Sequence, residues 1–200
     1  HNAGLDTLTP VLVFPPNIMA KPMALVIAGD QINVFSPQER LIASAKSGGE
    51  SKKTDLDLNG QTIISLAKKD NKIILGLSDL SLKELDLTKG SITALAFPNK
   101  NLQSLASLAL YNNNLYVLDS KAGQIWKYPP GEKGFNEPKA WLKTTNPSLL
   151  ATTILGIDGS IYAISPQGIV QKFDQGRPSA FTAFHSPAPV NVSKFWTKTA

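Results

Sequence analysis

None of the 200 residues is cysteine. That removes disulfides, thiolate nucleophiles and cysteine metal sites together. It suits a bacterial protein in either compartment. Histidine is nearly absent as well, with only His1 and His185 present. Arginine occurs only as Arg40 and Arg177. The net charge is +5 and the pI about 9.3, yet the residue suited to bidentate phosphate and guanine contacts occurs only at those two positions. The lysines are scattered, with Lys52-Lys53 and Lys68-Lys69 the only doublets. We therefore expect no nucleic-acid partner, and read the lysines as solvated groups that protect strand edges. No apolar run approaches the roughly 18 residues of a membrane helix, so we expect no membrane span. The chain begins at His1 rather than Met, which we take as a processed chain or a piece of a longer one, and no signal peptide is visible in it.

What the sequence does contain is a repeat. Ile27–Phe35, Ala67–Gly76, Ala109–Leu118 and Leu155–Ile164 each read as an apolar strand, a tight Asp/Asn/Gly turn and a second strand opening on Ile or Leu. The marker residues Ile32, Ile73, Leu115 and Ile161 are spaced 73 − 32 = 41, 115 − 73 = 42 and 161 − 115 = 46. A period of roughly 40 to 50 residues filled by four short strands is that of β-propeller blades. The expected fold is therefore all-β, a propeller of about four four-stranded blades with partial flanking strands.

The chain reads as one propeller segment over residues 1–200, with blades at about 23–58, 62–97, 105–142 and 151–184. Partial strands at 9–14 and 192–197 flank them. In blade one the strands are expected at 24–28, 31–35, 40–45 and 55–58, with 47–53 as a polar loop. Leu115–Leu118 and Ile161–Ile164 are apolar on both faces, as strands sandwiched between neighbouring sheets require. Gln124–Tyr128 and Gly168–Phe173 alternate, as half-exposed strands do. Asn113-Asn114 and Asp158-Gly159 supply residues for two-residue hairpin turns. A closed ring pairs its first strand with its last. One outer strand, four blades and one inner strand do not complete such a ring, so we expect a segment of a larger propeller of about six to eight blades.

Catalytic signatures are missing. Asp55-Leu-Asp57-Leu-Asn59-Gly60 opens like a calcium loop, but the ninth and twelfth positions are Ile63 and Leu66. It reads instead as a strand with its aspartates on the wet face. His185 lies in a loop, Phe184–Pro189, without carboxylate partners at a metal-ligand spacing. No nucleophile elbow, phosphate cradle or acid/base carboxylate pair occurs. Trp126, Tyr128, Trp141 and Trp196 recur at blade positions, and we expect them to wedge blades together. Asn191-Val-Ser193 is formally a glycosylation sequon. The inner strands Ala24–Ala28, Ile64–Ala67, Leu108–Leu110 and Thr153–Gly156 carry no repeated ligand. These features lead us to expect no enzyme activity, no metal and no cofactor.

A binding face belongs on loops, which a rigid scaffold can position. Loops joining the second and third strands should share one rim with the connections between blades. The candidate binding residues there are Ser78, Asp79, Asp119, Lys121, Gln167 and His185. Short and polar, these loops suit a protein or glycan ligand better than a deep pocket.

Ser107–Tyr128, continued by Gly134–Leu142, and Ile157–Ile164 leading to Ile169–Phe173 resemble the C-terminal propeller of large bacterial proteins related to type-2C metal-dependent protein Ser/Thr phosphatases, found in small-genome uncultured lineages. The resemblance covers about 105–175 well and the first two blades loosely. It implies a phosphatase-like domain and a membrane helix ahead of the propeller, with the propeller as the extracytoplasmic sensing or docking part of a membrane-anchored signalling protein. None of the phosphatase's metal-binding aspartates is matched, so no catalytic residue carries over. The alternative is a segment of an enzymatic propeller, a lyase or hydrolase whose axial metal site is completed by further blades.

Overall fold

A computed structural model describes residues 24–36, 39–46, 49–152 and 154–181. The expected partial strands at 9–14 and 192–197, His1, His185, Trp196 and the sequon lie outside the described residues. The chain divides into two compact units, His1–Asn59 and Gly60–Ala200.

The first unit holds one antiparallel sheet in the order β1 (Ala24–Ala28), β2 (Gln31–Ser36), β3 (Leu41–Lys46), β4 (Lys52–Asp55). Strand β1 alternates, with Ala24, Val26 and Ala28 buried and Leu25 and Ile27 exposed. Its turn into β2 places Gly29 at φ 61°, a left-handed conformation that glycine adopts without steric cost. Asn33 is fully buried in β2 and is satisfied there: its amide donates to Val26 O at 3.3 Å and its oxygen accepts from the Ser44 hydroxyl at 2.8 Å.

The outer strand differs from expectation. Lys52 and Lys53, read as loop, pair with Ser44 and Ala43, and the ladder ends at Asp55. The Leu56/Leu58 alternation that suggested a strand over 55–58 reflects burial alone, since both leucines are buried outside the ladder. Asn59 and Gly60, at φ 54° and 80°, make the turn that follows.

The second unit holds three four-stranded antiparallel sheets. The first comprises β5 (Ile63–Lys69), β6 (Lys72–Leu77), β7 (Leu82–Asp86) and β8 (Ile92–Ala94). The next comprises β9 (Ser107–Tyr111), β10 (Asn114–Asp119), β11 (Gln124–Tyr128) and, beyond a small hairpin, β14 (Lys139–Ala140). That hairpin is β12 (Pro130–Gly131) and β13 (Gly134–Phe135). The last sheet is β15 (Ile154–Ile157), β16 (Ile161–Ile164), β17 (Val170–Asp174) and β18 (Arg177–Ser179). A short 3-10 turn, Pro147–Ala151, precedes β15, with Asn146 accepting from the Ser148 N–H. The β9–β10 turn is Asn112-Asn113, one residue earlier than expected, and both residues have positive φ. That pair of left-handed residues matches the right-handed twist of the strands they join.

Strand β10 faces two cores at once. Leu115 and Val117 join Ala67, Ile74 and Leu82 of the preceding sheet, with Leu105, Leu108 and Tyr128. Tyr116 and Leu118, one residue out of phase, join Leu155, Ile157, Ile161 and Phe173 of the following sheet. A period of two sends alternate side chains to opposite faces. Gly76 allows the first of these interfaces to close, because a Cβ there would meet Leu105 Cδ2 at 2.7 Å.

The aromatics pack as expected where they are described. Tyr128 is buried against Phe97, with ring centroids 4.6 Å apart, and Trp141 meets Tyr116 edge-on at 6.3 Å. Burial pushes both phenols above their ordinary values.

A polar tie recurs between the sheets. The buried Ser65 hydroxyl of β5 accepts the Leu108 N–H of β9 at 3.0 Å, and the buried Ser107 hydroxyl of β9 accepts the Leu155 N–H of β15 at 3.1 Å. Each serine satisfies a backbone donor on the inner strand of the next sheet. Replacing Ser107 by Ala should leave the Leu155 N–H buried without a partner, at a cost of about 1–3 kcal/mol. The expected result is a lower denaturant midpoint at unchanged m, with faster hydrogen exchange at Leu155.

Candidate functional site

In the first two sheets of the second unit, the loops that follow the second strand are tied to the connections between sheets. Asp119 makes the strongest of these ties. It ends β10 and is fully buried. Its Oδ2 accepts from Gln103 N at 2.8 Å and Trp126 Nε1 at 3.4 Å, and its Oδ1 from the Ser104 hydroxyl at 2.9 Å and Ala122 N at 3.1 Å. A carboxylate saturated by four donors is a lock between the β8–β9 connection and the β10–β11 loop. Expected as a binding residue, Asp119 instead lies beneath the surface and holds the loops that form it. The reason is topological: the chain brings Gln103 and Ser104 over the end of β10, where their donors would otherwise be unsatisfied.

Lys121 follows the lock. Its N–H donates to the Ser104 hydroxyl at 3.0 Å and its side chain is exposed. Ser78 forms a comparable tie one sheet earlier, donating to Gln61 Oε1 at 2.6 Å and accepting from Thr62 N at 3.1 Å. Asp79 folds back on its own loop, accepting from Ser81 N at 3.0 Å and the Ser81 hydroxyl at 2.6 Å. Burial raises the Asp79 carboxyl, but the two Ser81 donors outweigh it and the net shift is downward. Gln167 is exposed in the β16–β17 loop, whose Ser165 O accepts the Gly168 N–H at 2.9 Å. His185 lies outside the described residues.

Further rim ties were not foreseen in the sequence. Asn99 Nδ2 donates to Leu80 O at 3.0 Å, and Asn146 N to Gly123 O at 2.7 Å. Gln171 Oε1 accepts from the Ser148 hydroxyl at 2.8 Å and Asn146 Nδ2 at 3.2 Å. Asn, Ser and Gln are common in any loop, so composition gave no signal for them. Among the described residues no three His, Cys, Asp or Glu side chains group in a way that could hold a metal ion, and no helix is long and apolar enough to cross a membrane.

A second feature was not anticipated. A cleft of about 380 Å³ lies between β8 and the β12–β13 hairpin, lined by Lys69, Lys72, Ile74, Glu84, Thr93 to Leu95 and Gly131 to Phe135. The hairpin is pinned to the neighbouring sheet: Ala96 N donates to Lys133 O at 2.9 Å and Phe135 N to Ala96 O at 2.8 Å. A Cβ at Gly134 would overlap the Ala96 backbone, so that close approach needs glycine. The only cue in the sequence was the length of Pro129–Pro138 beside the two-residue Gln175-Gly176 turn of the last sheet.

No protein-family model and no curated protein sequence matches the chain. Solved structures do. A streptogramin B lyase aligns with a TM-score of 0.52 at 17% identity, over 78% of this chain and 55% of that one. A luciferin-regenerating enzyme aligns at 0.57 and 14%, over 84% and 62%. BamB from Moraxella catarrhalis aligns at 0.51 and 14%, over 81% and 45%. The fold is a β-propeller. The chain spans roughly half the length of the propellers it matches.

At such identities the likeness concerns fold alone. It nonetheless corrects one expectation. We read the chain as having no enzymatic role, yet two of these three similar structures are enzymes, so the fold gives no ground for that exclusion. The absence of a repeated ligand on the inner strands was too weak a basis for it, because a propeller site can be assembled from blades that differ. The comparisons support a propeller in general and not the phosphatase-related lineage.

Asp119→Ala should strand the Gln103 and Ala122 amides and cost about 2–4 kcal/mol, seen as a drop in unfolding free energy with early hydrogen exchange at those two positions. Asp174 offers a pH test. The Ser160 hydroxyl, donating at 2.5 Å, is the main cause that lowers its carboxyl to about 2 from an ordinary 3.8; Ser179 and Lys172 lower it further against a smaller opposing effect of burial. Because the folded value is depressed, its stabilising contribution is complete above about pH 4 and is lost as pH falls through about 2. The Asp174 carboxyl carbon should titrate near pH 2 by NMR, and Ser160→Ala should move that midpoint upward.

Proposed function

We propose that this propeller acts through recognition, holding a protein or glycan ligand on the rim formed by Ser78–Ser81, Gln103–Ser104, Ser120–Gly123 and Ser165–Gly168. The observation that carries this reading is the Asp119 lock. It fixes two loops by three hydrogen bonds, with a fourth from Trp126 of β11, while leaving Gln103 and Lys121 exposed beside it. Loops ordered in advance spare a ligand the entropy cost of ordering them, which is how a rigid scaffold turns short polar loops into a binding surface.

The wider setting we propose rests on the resemblance over residues 105–175. On that basis the chain serves as the extracytoplasmic sensing part of a membrane-anchored bacterial signalling protein, with a phosphatase-like domain as its attached partner.

Photo-crosslinking amino acids placed at positions 121 and 167, and at 113 at the other end of β10, would test the rim reading in the native host. Crosslinked product from 121 and 167 with none from 113 is the expected outcome. Product from 113 alone, or none from any position, would overturn it.

A further inference from the structure

We propose that the cleft beneath the β12–β13 hairpin binds a small organic anion, its carboxylate met by Lys69 and Lys133 and its apolar part set against Leu95. This site is separate from the rim and does not depend on the rim reading. The first argument is construction. The turn between the third and fourth strands of the last sheet needs only Gln175-Gly176, whereas the same connection in the sheet before it runs from Pro129 to Pro138 and folds a hairpin of its own. That hairpin does not lie loose: both Ala96 hydrogen bonds and the Ala96–Gly134 bridge hold it over the edge strand β8. The cleft, open to solvent on one side and about 380 Å³ in volume, falls within the roughly 300–1,000 Å³ typical of small-molecule sites.

The second argument is charge. Lys69, Lys72 and Lys133 line the cleft against Glu84 and Glu132. Lys72 and Glu84 neutralise each other, with Nζ 2.5 Å from Oε1, and Glu84 holds the Lys72 ammonium above its ordinary value. Among the described residues neither Lys69 nor Lys133 makes an ion pair, so the walls carry an excess of positive charge that an oxyanion satisfies. The third argument is the half-buried Leu95 in the same lining, beside Ile74 and Phe135, which are buried and already packed in the core. An inorganic anion would leave Leu95 unused, and a neutral apolar molecule would leave the two ammoniums unmatched.

Hexanoate is a suitable probe, with hexan-1-ol and hexylammonium of the same chain length as controls, added to ¹⁵N-labelled protein and followed by NMR. Hexanoate should shift the amides of Thr93–Leu95 and Gly131–Phe135 saturably, and neither control should do so. Lys69→Gln combined with Lys133→Gln should weaken hexanoate at least about fivefold, a size suited to two exposed ion pairs, and Glu132→Gln should strengthen it. Both lysines are exposed, so unchanged signal dispersion elsewhere will confirm that the double variant is folded. Equal shifts from hexan-1-ol or hexylammonium would overturn the proposal. So would unaltered hexanoate binding in the folded double variant, or no saturable shift in the parent protein.

Discussion

The packing of strand β10 between two sheets constrains everything around it. Leu115 and Val117 are committed to one interface and Tyr116 and Leu118 to the other, so its central positions have no face left for an ionisable group. A charge placed there would need a partner that an apolar interface does not provide. The first charged residue along the strand is Asp119, at its end, where backbone donors from two loops converge. Chemistry is thereby displaced from the strands to the loops and edges, which is where both the rim and the hairpin cleft are found.

The apolar interfaces do not by themselves fix how one sheet lies along the next, because hydrophobic contact is non-directional. Ser65 and Ser107 supply direction. Each projects a buried hydroxyl to a single amide on the next inner strand, so sliding one sheet along the other would leave a buried donor unpaired. Gln124 works in the same manner within its sheet. Its side-chain oxygen accepts from Ile125 N at 2.8 Å and Leu142 N at 3.0 Å, carrying the chain past the end of the short β14. Most polar side chains buried among the described residues have specific partners, as the cost of an unmade hydrogen bond requires, and the Thr152 hydroxyl is the exception.

Enzymes such as a streptogramin B lyase share the architecture with the present chain, so blade geometry does not sort catalytic from non-catalytic propellers. What sorts them is which side chains a given ring gathers, and about half of the length of the similar propellers has no counterpart in this chain. The rim and the cleft are therefore argued from their own residues.

Strand periodicity was legible because it is local. Alternation in Leu115–Leu118, the Asn112–Asn114 turn to within one residue and the 41-, 42- and 46-residue spacing all follow from backbone sterics and the pleat, which act within a few residues. The serine ties lay in the same pattern, 107 − 65 = 42, but a serine inside an apolar strand announces nothing until its partner is known. Asp119 misled for the same reason: an aspartate ending a strand looks exposed until a connection arriving from Gln103 covers it. The Leu56/Leu58 alternation reported burial and not pairing, since a side chain can be buried with or without a neighbouring strand. By itself, then, the sequence determined the all-β class, the blade period and the apolar character of both faces of Leu115–Leu118 and Ile161–Ile164. Tertiary structure alone decided which polar groups lock the loops and where the Pro129–Pro138 excursion comes to rest. Those outcomes depend on contacts between residues distant in sequence, and the spacing of residues along a chain does not encode the position of such partners.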